Sequence, residues 1–180
     1  MSQREDRITG PLTRFLAEDH RRLDGLLQKA TAHAGFVEQG AYDQFRAGLL
    51  RHIGMEEKIL LPAVQRLRGG EPLPLAAKLR LDHGALASLL MPTPTADIVA
   101  TIRDMLADHN ALEEGPAGLY EICDDLAGSE AEPLLANLQA APEVLVMPHS
   151  DSPAVMNAVR RALERAGYRL RGAESGETNE

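Results

Sequence analysis

Asp19-His20-Arg21-Arg22-Leu23-Asp24-Gly25-Leu26-Leu27 and Asp82-His83-Gly84-Ala85-Leu86-Ala87-Ser88-Leu89-Leu90 follow one pattern, D-H-x-x-L-x-x-L-L. Leucines three and four residues apart mark the buried stripe of a helix, so each stretch reads as a helix with a single His on its apolar side. Downstream of each comes a second shared pattern. Leu49, His52, Met55, Glu56 and Glu57 are matched by Leu106, His109, Leu112, Glu113 and Glu114, both L-x-x-H-x-x-[M/L]-E-E. One helical hairpin therefore occurs twice, which predicts a pseudo-twofold bundle with equivalent His and Glu residues at its centre.

Working outward, the periodicity gives four long helices separated by turn residues. The first runs from Pro11 to Ala34 and stops at Gly35; the second starts near Ala41 and ends before Gly69-Gly70. The third lies between Pro74 and Met91, and the fourth runs from Thr95 to Ala127, ended by Gly128. Short connections make consecutive helices antiparallel, so the fold class is all-α, an up-down four-helix bundle over residues 11–127. Pro62 and Pro116 fall inside the second and fourth helices, where each should bend the axis. Residues 128–171 read as an appendage. It comprises a short helix around Glu132 to Gln139, a strand from Glu143 to Met147, a helix from Pro153 to Ala166 with Ser152 as N-cap, and a second strand at Tyr168-Arg169-Leu170-Arg171. This strand-helix-strand unit is too small to stand alone and is expected to pack on the bundle or to join two copies as a homodimer. Residues 172–180 read as a disordered tail.

Composition sets the limits on function. The 180 residues are 44% hydrophobic but only 3% aromatic, with no Trp, so Leu, Ala, Val and Ile must fill the core. A net charge of -8 argues against a nucleic-acid partner, since phosphate recognition needs a basic face. The single Cys excludes a disulfide framework and any multi-thiolate zinc site, so a metal would be held by nitrogen and oxygen. The charged start, Met1 to Arg7, is not followed by an apolar signal core, and no stretch approaches the ~20 apolar residues of a membrane span. The expected location is the cytoplasm, with no membrane association.

Helical geometry selects the candidate ligands. With ~100° and ~1.5 Å per residue, Glu56 lies on the same face as His52 and about one turn along, whereas Glu57 is about 140° away. The same arithmetic pairs His109 with Glu113 rather than Glu114. Carboxylates on apolar faces are costly to bury without a partner, and a cation supplies one. The candidate metal ligands are thus His20, His52, Glu56, His83, His109 and Glu113. Four imidazoles and two carboxylates suit Fe, Mn or Zn. If both Glu residues bridge, one ion takes His20 and His52 and the other His83 and His109, and an octahedral ion would keep about two open positions.

On these motifs the chain resembles the hemerythrin-like (HHE cation-binding) domain family over roughly Pro11 to Ala127. The resemblance implies a non-haem di-iron centre with bridging carboxylates, the two iron ions also oxo- or hydroxo-bridged. It implies a small ligand, dioxygen, nitric oxide or peroxide, that is bound or reduced in sensing, iron handling or stress defence. Oxygen-carrying members place a second His four residues after the first on the third helix, where this chain has Ala87, which argues against oxygen transport. The remaining ligand set is similar to the di-iron domain of iron-sulfur cluster repair proteins, although the single Cys leaves no counterpart of their Cys pair. Two other readings stay open: a di-zinc or di-manganese hydrolase, and an interaction module with a structural metal site.

Other polar residues receive lesser roles. Glu57 and Glu114 are expected to be solvated or to orient a His, and Asp19, Asp82 and Asp108 to lie at the surface or to hydrogen-bond between helices. His33, thirteen residues past His20, lies about 20 Å further along the same helix and so cannot share the site. Cys123 is likewise remote, and His149 reads as a turn or interface residue. Tyr42 and Tyr120 are placed at the bundle ends, with no redox role.

Overall fold

The computed structural model describes residues 9–172. Helix α1 (Pro11–Ala30) begins with Pro at its first position, but Gly10 before it has no side chain with which to cap the free N–H groups. That task falls to Asp124, whose carboxylate accepts from the backbone N–H of Leu12 and of Thr13, both at 3.0 Å. Helix α2 (Gln39–Met55) is capped by the Glu38 carboxylate, which accepts from Gly40 and Ala41 N–H. It continues through a π turn, Glu56–Leu60, into α3 (Leu61–Leu67). Pro62 explains the π turn. It has no N–H for the Lys58 carbonyl and its ring crowds that oxygen, so the helix widens and Leu61 N–H bonds back to Glu56.

Helix α4 (Ala76–Leu89) is followed by α5 (Ala96–Glu114), whose N-cap Thr95 accepts from Ile98 N–H. Where a bend in one long fourth helix is expected, the chain breaks. Gly115 is extended, Ala117 takes a left-handed φ of 56°, and a new helix α6 (Leu119–Ala127) starts after Gly118. Gly128 then leads into α7 (Ala131–Gln139).

The appendage differs from the expectation in one respect: no strand occurs among the described residues. Residues 141–152 form no regular element, and alternation survives, with Leu145 and Met147 outside and Val144 and Val146 half-buried. A strand needs a partner for its ladder, however, and here backbone groups go elsewhere. The Arg46 guanidinium donates to the Met147 carbonyl, Arg51 to that of Ala141, and Ser150 N–H to Met91. Tyr168 to Leu170 is likewise irregular, with Arg171 N–H bound to the Thr101 hydroxyl. Helix α8 (Pro153–Ala166) forms as the sequence predicts, with the Ser152 hydroxyl accepting from Val155 N–H and Gly167 closing it at a φ of 89°. It packs on α4 within the same chain, burying Val159 and Leu163. The expected disordered tail lies, Gly172 apart, outside the described residues.

The core forms two apolar clusters. One contains Leu23, Leu27, Leu49, Leu86 and Met105; the other Leu12, Leu16, Met55, Leu79 and Leu119. In the sequence His20, His52, His83, His109 and Glu113 each fall between a member of the first and a member of the second, and Glu56 lies one turn past His52, so the polar residues occupy a layer between the clusters. No described helix is long and apolar enough to cross a membrane.

Candidate metal centre

All six candidate ligands are buried in that layer. Their donor atoms form two groups, His20, His52, Glu56 and Glu113, and Glu56, His83, His109 and Glu113, each lying within 4.8 Å throughout. The carboxylates belong to both. Glu56 Oε1 is 3.4 Å from His52 Nε2, while its Oε2 is 3.0 Å from His83 Nε2. Glu113 Oε2 is 3.3 Å from His20 Nε2, and its Oε1 is 3.0 Å from His109 Nε2.

The outer nitrogens are fixed by four further carboxylates, each carried by another helix. Asp19 of α1 faces His52 Nδ1 at 2.8 Å, and its counterpart Asp82 of α4 faces His109 Nδ1 at 3.4 Å. Glu57 takes His83 Nδ1 at 2.6 Å, and its counterpart Glu114 takes His20 Nδ1 at 2.5 Å. The contacts close a circuit: α1 to α2, the π turn to α4, α4 to α5, and α5 back to α1. With each Nδ1 facing an outer carboxylate that can accept its proton, each Nε2 is turned inward, the arrangement in which an ion can replace the Nε2 proton and meet a lone pair. Glu57 does point away from His52, as the helical arithmetic requires, and so reaches the back of the next imidazole. Asp108, by contrast, is exposed and accepts from the Tyr168 hydroxyl.

The electrostatics fit a cation. Burial lowers the His52 pKa, but Glu56 and Asp19 outweigh it and hold the imidazole at about 10. Burial is similarly overridden at His83, held at about 10 by Glu113, Glu56 and Glu57, and at His109, held at about 9 by Asp82 and Glu113. His20 is raised against its burial by Glu113 and Glu114. Burial and the neighbouring Glu113 push Glu56 up, yet His52 and His83 leave it below the ordinary carboxylate range. Glu113 is held well below that range, against its burial, by His109, His20 and His83. Without a cation these acceptors need protons from the imidazoles; with one, the imidazoles are free to be neutral ligands.

Three atoms of the second group, Glu56 Oε2, Glu113 Oε1 and His83 Nε2, are buried with no hydrogen-bond partner. His83 Nε2 and Glu56 Oε2 are 3.0 Å apart, but the ring does not aim its nitrogen at that oxygen in hydrogen-bond geometry. Buried orphans are expensive, and donors that converge without bonding one another fit a shared ion.

The first group has no such orphans because of Tyr120. Instead of lying at a bundle end, this fully buried residue places its hydroxyl 2.7 Å from Glu56 Oε1 and 3.1 to 3.2 Å from His20 Nε2, His52 Nε2 and Glu113 Oε2. Seven residues past Glu113, it would sit about 10 Å further along an unbroken helix, on the same face. The break at Gly115-Pro116 returns it to the level of the site. The signal available was that shared face together with the Gly-Pro pair. His33 is exposed beyond α1, and His149 meets Gln39 and the Tyr42 ring, so neither approaches the centre.

No curated protein and no solved structure matches the chain. The model of the hemerythrin HHE cation-binding domain matches residues 12–118, more than half of the sequence and every one of the six converging donors. The chain therefore belongs to the hemerythrin HHE cation-binding family.

Proposed function

We propose that this protein is a non-haem di-iron protein that binds or reduces a small ligand, dioxygen, nitric oxide or peroxide, at a site held by His20, His52, Glu56, His83, His109 and Glu113. The observation that carries this reading is the pair of four-donor groups sharing Glu56 and Glu113, each Nε2 turned inward by a carboxylate on its Nδ1. Imidazole and carboxylate together suit iron, and two donors of each kind leave an octahedral ion with open positions. An iron pair, once bound, supplies one-electron redox steps and a place for a diatomic. The chain's own residues fix the donors, keep bulk water from the layer and control access.

Access favours a small, uncharged ligand. A cavity of about 280 Å³ touches His20 and is walled by Leu23, Leu27, Leu49 and Leu106, with Asp24, Arg103 and Asn110 as its polar lining. The small volume and the four leucines around His20 suit a diatomic better than the larger polar substrate of a hydrolase.

The test is metal content joined to spectroscopy. Protein prepared without metal bias should hold about two irons per chain, with near-ultraviolet absorption that changes on reduction and on exposure to nitric oxide. Equimolar zinc would count against the proposal, as would an iron-loaded spectrum indifferent to both treatments.

A further inference from the structure

We infer that Tyr120 is a fifth protein ligand to one ion of the pair, its phenolate oxygen completing the His20, His52, Glu56 and Glu113 group. The inference rests on the di-metal reading above and on the placing of one hydroxyl among four donors.

Neighbouring donors around an octahedral ion with bonds of ~2.1 Å stand about 3 Å apart, and opposite donors about 4 Å. Two edges of the group already approach the smaller value, at 3.3 Å for His20 Nε2 to Glu113 Oε2 and 3.4 Å for His52 Nε2 to Glu56 Oε1. The hydroxyl stands 2.7, 3.1, 3.2 and 3.2 Å from the four atoms. It is thus spaced as a neighbour of all of them and opposite to none, the relation a fifth ligand has to four others. The phenolic proton is directed at Glu56 Oε1, the shortest of the four contacts, and the oxygen's lone pairs remain for an ion held among the other donors. As the oxygen–metal bond forms the phenolic proton leaves to solvent, as protons do from other side chains on metal binding.

The duplicated hairpin has no second copy of this feature. The residue seven beyond Glu56 is Ala63, which offers no donor, so the other ion would keep four protein ligands. Tyr120 also lies outside the stretch matched by the family model. It enters from the cluster of Leu12 and Leu16, whereas the cavity at His20 is walled by Leu23 and Leu27 of the opposite cluster. The two ions would then be chemically unequal, with the phenolate closing one approach and the cavity serving another.

The experiment loads the full-length protein with ferrous iron without oxygen, then admits air, so that dioxygen takes one electron from each ion and two protons from water and leaves as hydrogen peroxide. Ferric phenolates absorb in the visible, and resonance Raman excitation in that band enhances tyrosine ring modes. The wild type should carry two irons and show both signatures; Tyr120→Phe should keep its iron and lose them. Should that variant fold poorly, ring-deuterated tyrosine in the wild type shifts the same modes without a substitution. Two irons without the band would overturn the tyrosine ligand and leave the di-iron reading standing. One iron in the wild type but two in Tyr120→Phe would mean that the hydroxyl occupies a metal's place, and would also overturn it. Failure of the wild type to hold iron would remove both.

Discussion

An imidazole offers two nitrogens, and in this site both are engaged, one by an outer carboxylate and one toward the centre. The outer and inner groups should therefore respond differently to substitution. Glu56→Ala and Glu113→Ala each strip a donor from both groups, and metal content of the purified variants should fall at both positions; full occupancy would mean that these carboxylates do not hold the ions. Glu57→Gln and Asp19→Asn leave the donors in place but loosen an imidazole, and should weaken metal affinity by about 10- to 100-fold in a competition titration. Cys123, buried beside the same layer, has its thiol pushed up by burial and then by Glu56, so it stays neutral and shielded at ordinary pH. Alkylation should proceed only as fast as the protein unfolds, which a comparison in water and in denaturant would show. The six inward donors were readable from the sequence because two repeats and one helical period select the same face. Tyr120 was not, since its height depends on a break whose depth no periodicity encodes. The partner of Asp19 was likewise hidden, because a residue one step before a ligand points at the neighbouring helix, and only packing says which group waits there.

At the scale of elements, the two proline positions were legible as irregularities, but their outcomes were not. Pro62 follows a run with no glycine and is absorbed by widening the helix; Pro116 has Gly115 before it and Gly118 after it, and the helix ends. Both glycines are constrained: a Cβ at Gly115 would run into the Ala111 carbonyl oxygen, and one at Gly118 would lie 2.6 Å from the Glu113 carbonyl oxygen and 2.7 Å from that of Gly115. Gly118→Ala should cost about 1 to 3 kcal/mol in urea denaturation and displace the start of α6, weakening the signatures assigned to Tyr120. The expected strands failed for a different reason. Alternation in Val144 to Met147 is real, but strand formation is a property of two segments; among the described residues no ladder pairs with this one, and Arg46 of α2 takes its Met147 carbonyl instead.

Over the whole molecule, the four-helix core and the family were legible because the duplicated motif spans them, while the seat of α8 on α4 was only one of two options. Its apolar face supplies Val159 and Leu163 to the larger cluster, so Leu163→Ala should destabilise the protein by about 2 to 5 kcal/mol, measured by chemical denaturation. The circuit of carboxylates and imidazoles has a kinetic corollary. Because each of the four imidazoles is held from behind by a carboxylate of another helix, no single helix can peel away without slackening two of them at once. On the proposed di-iron reading, escape of iron to an external chelator would be gated by cooperative opening of the bundle, and its half-time would serve as a clock for how often the four helices part company.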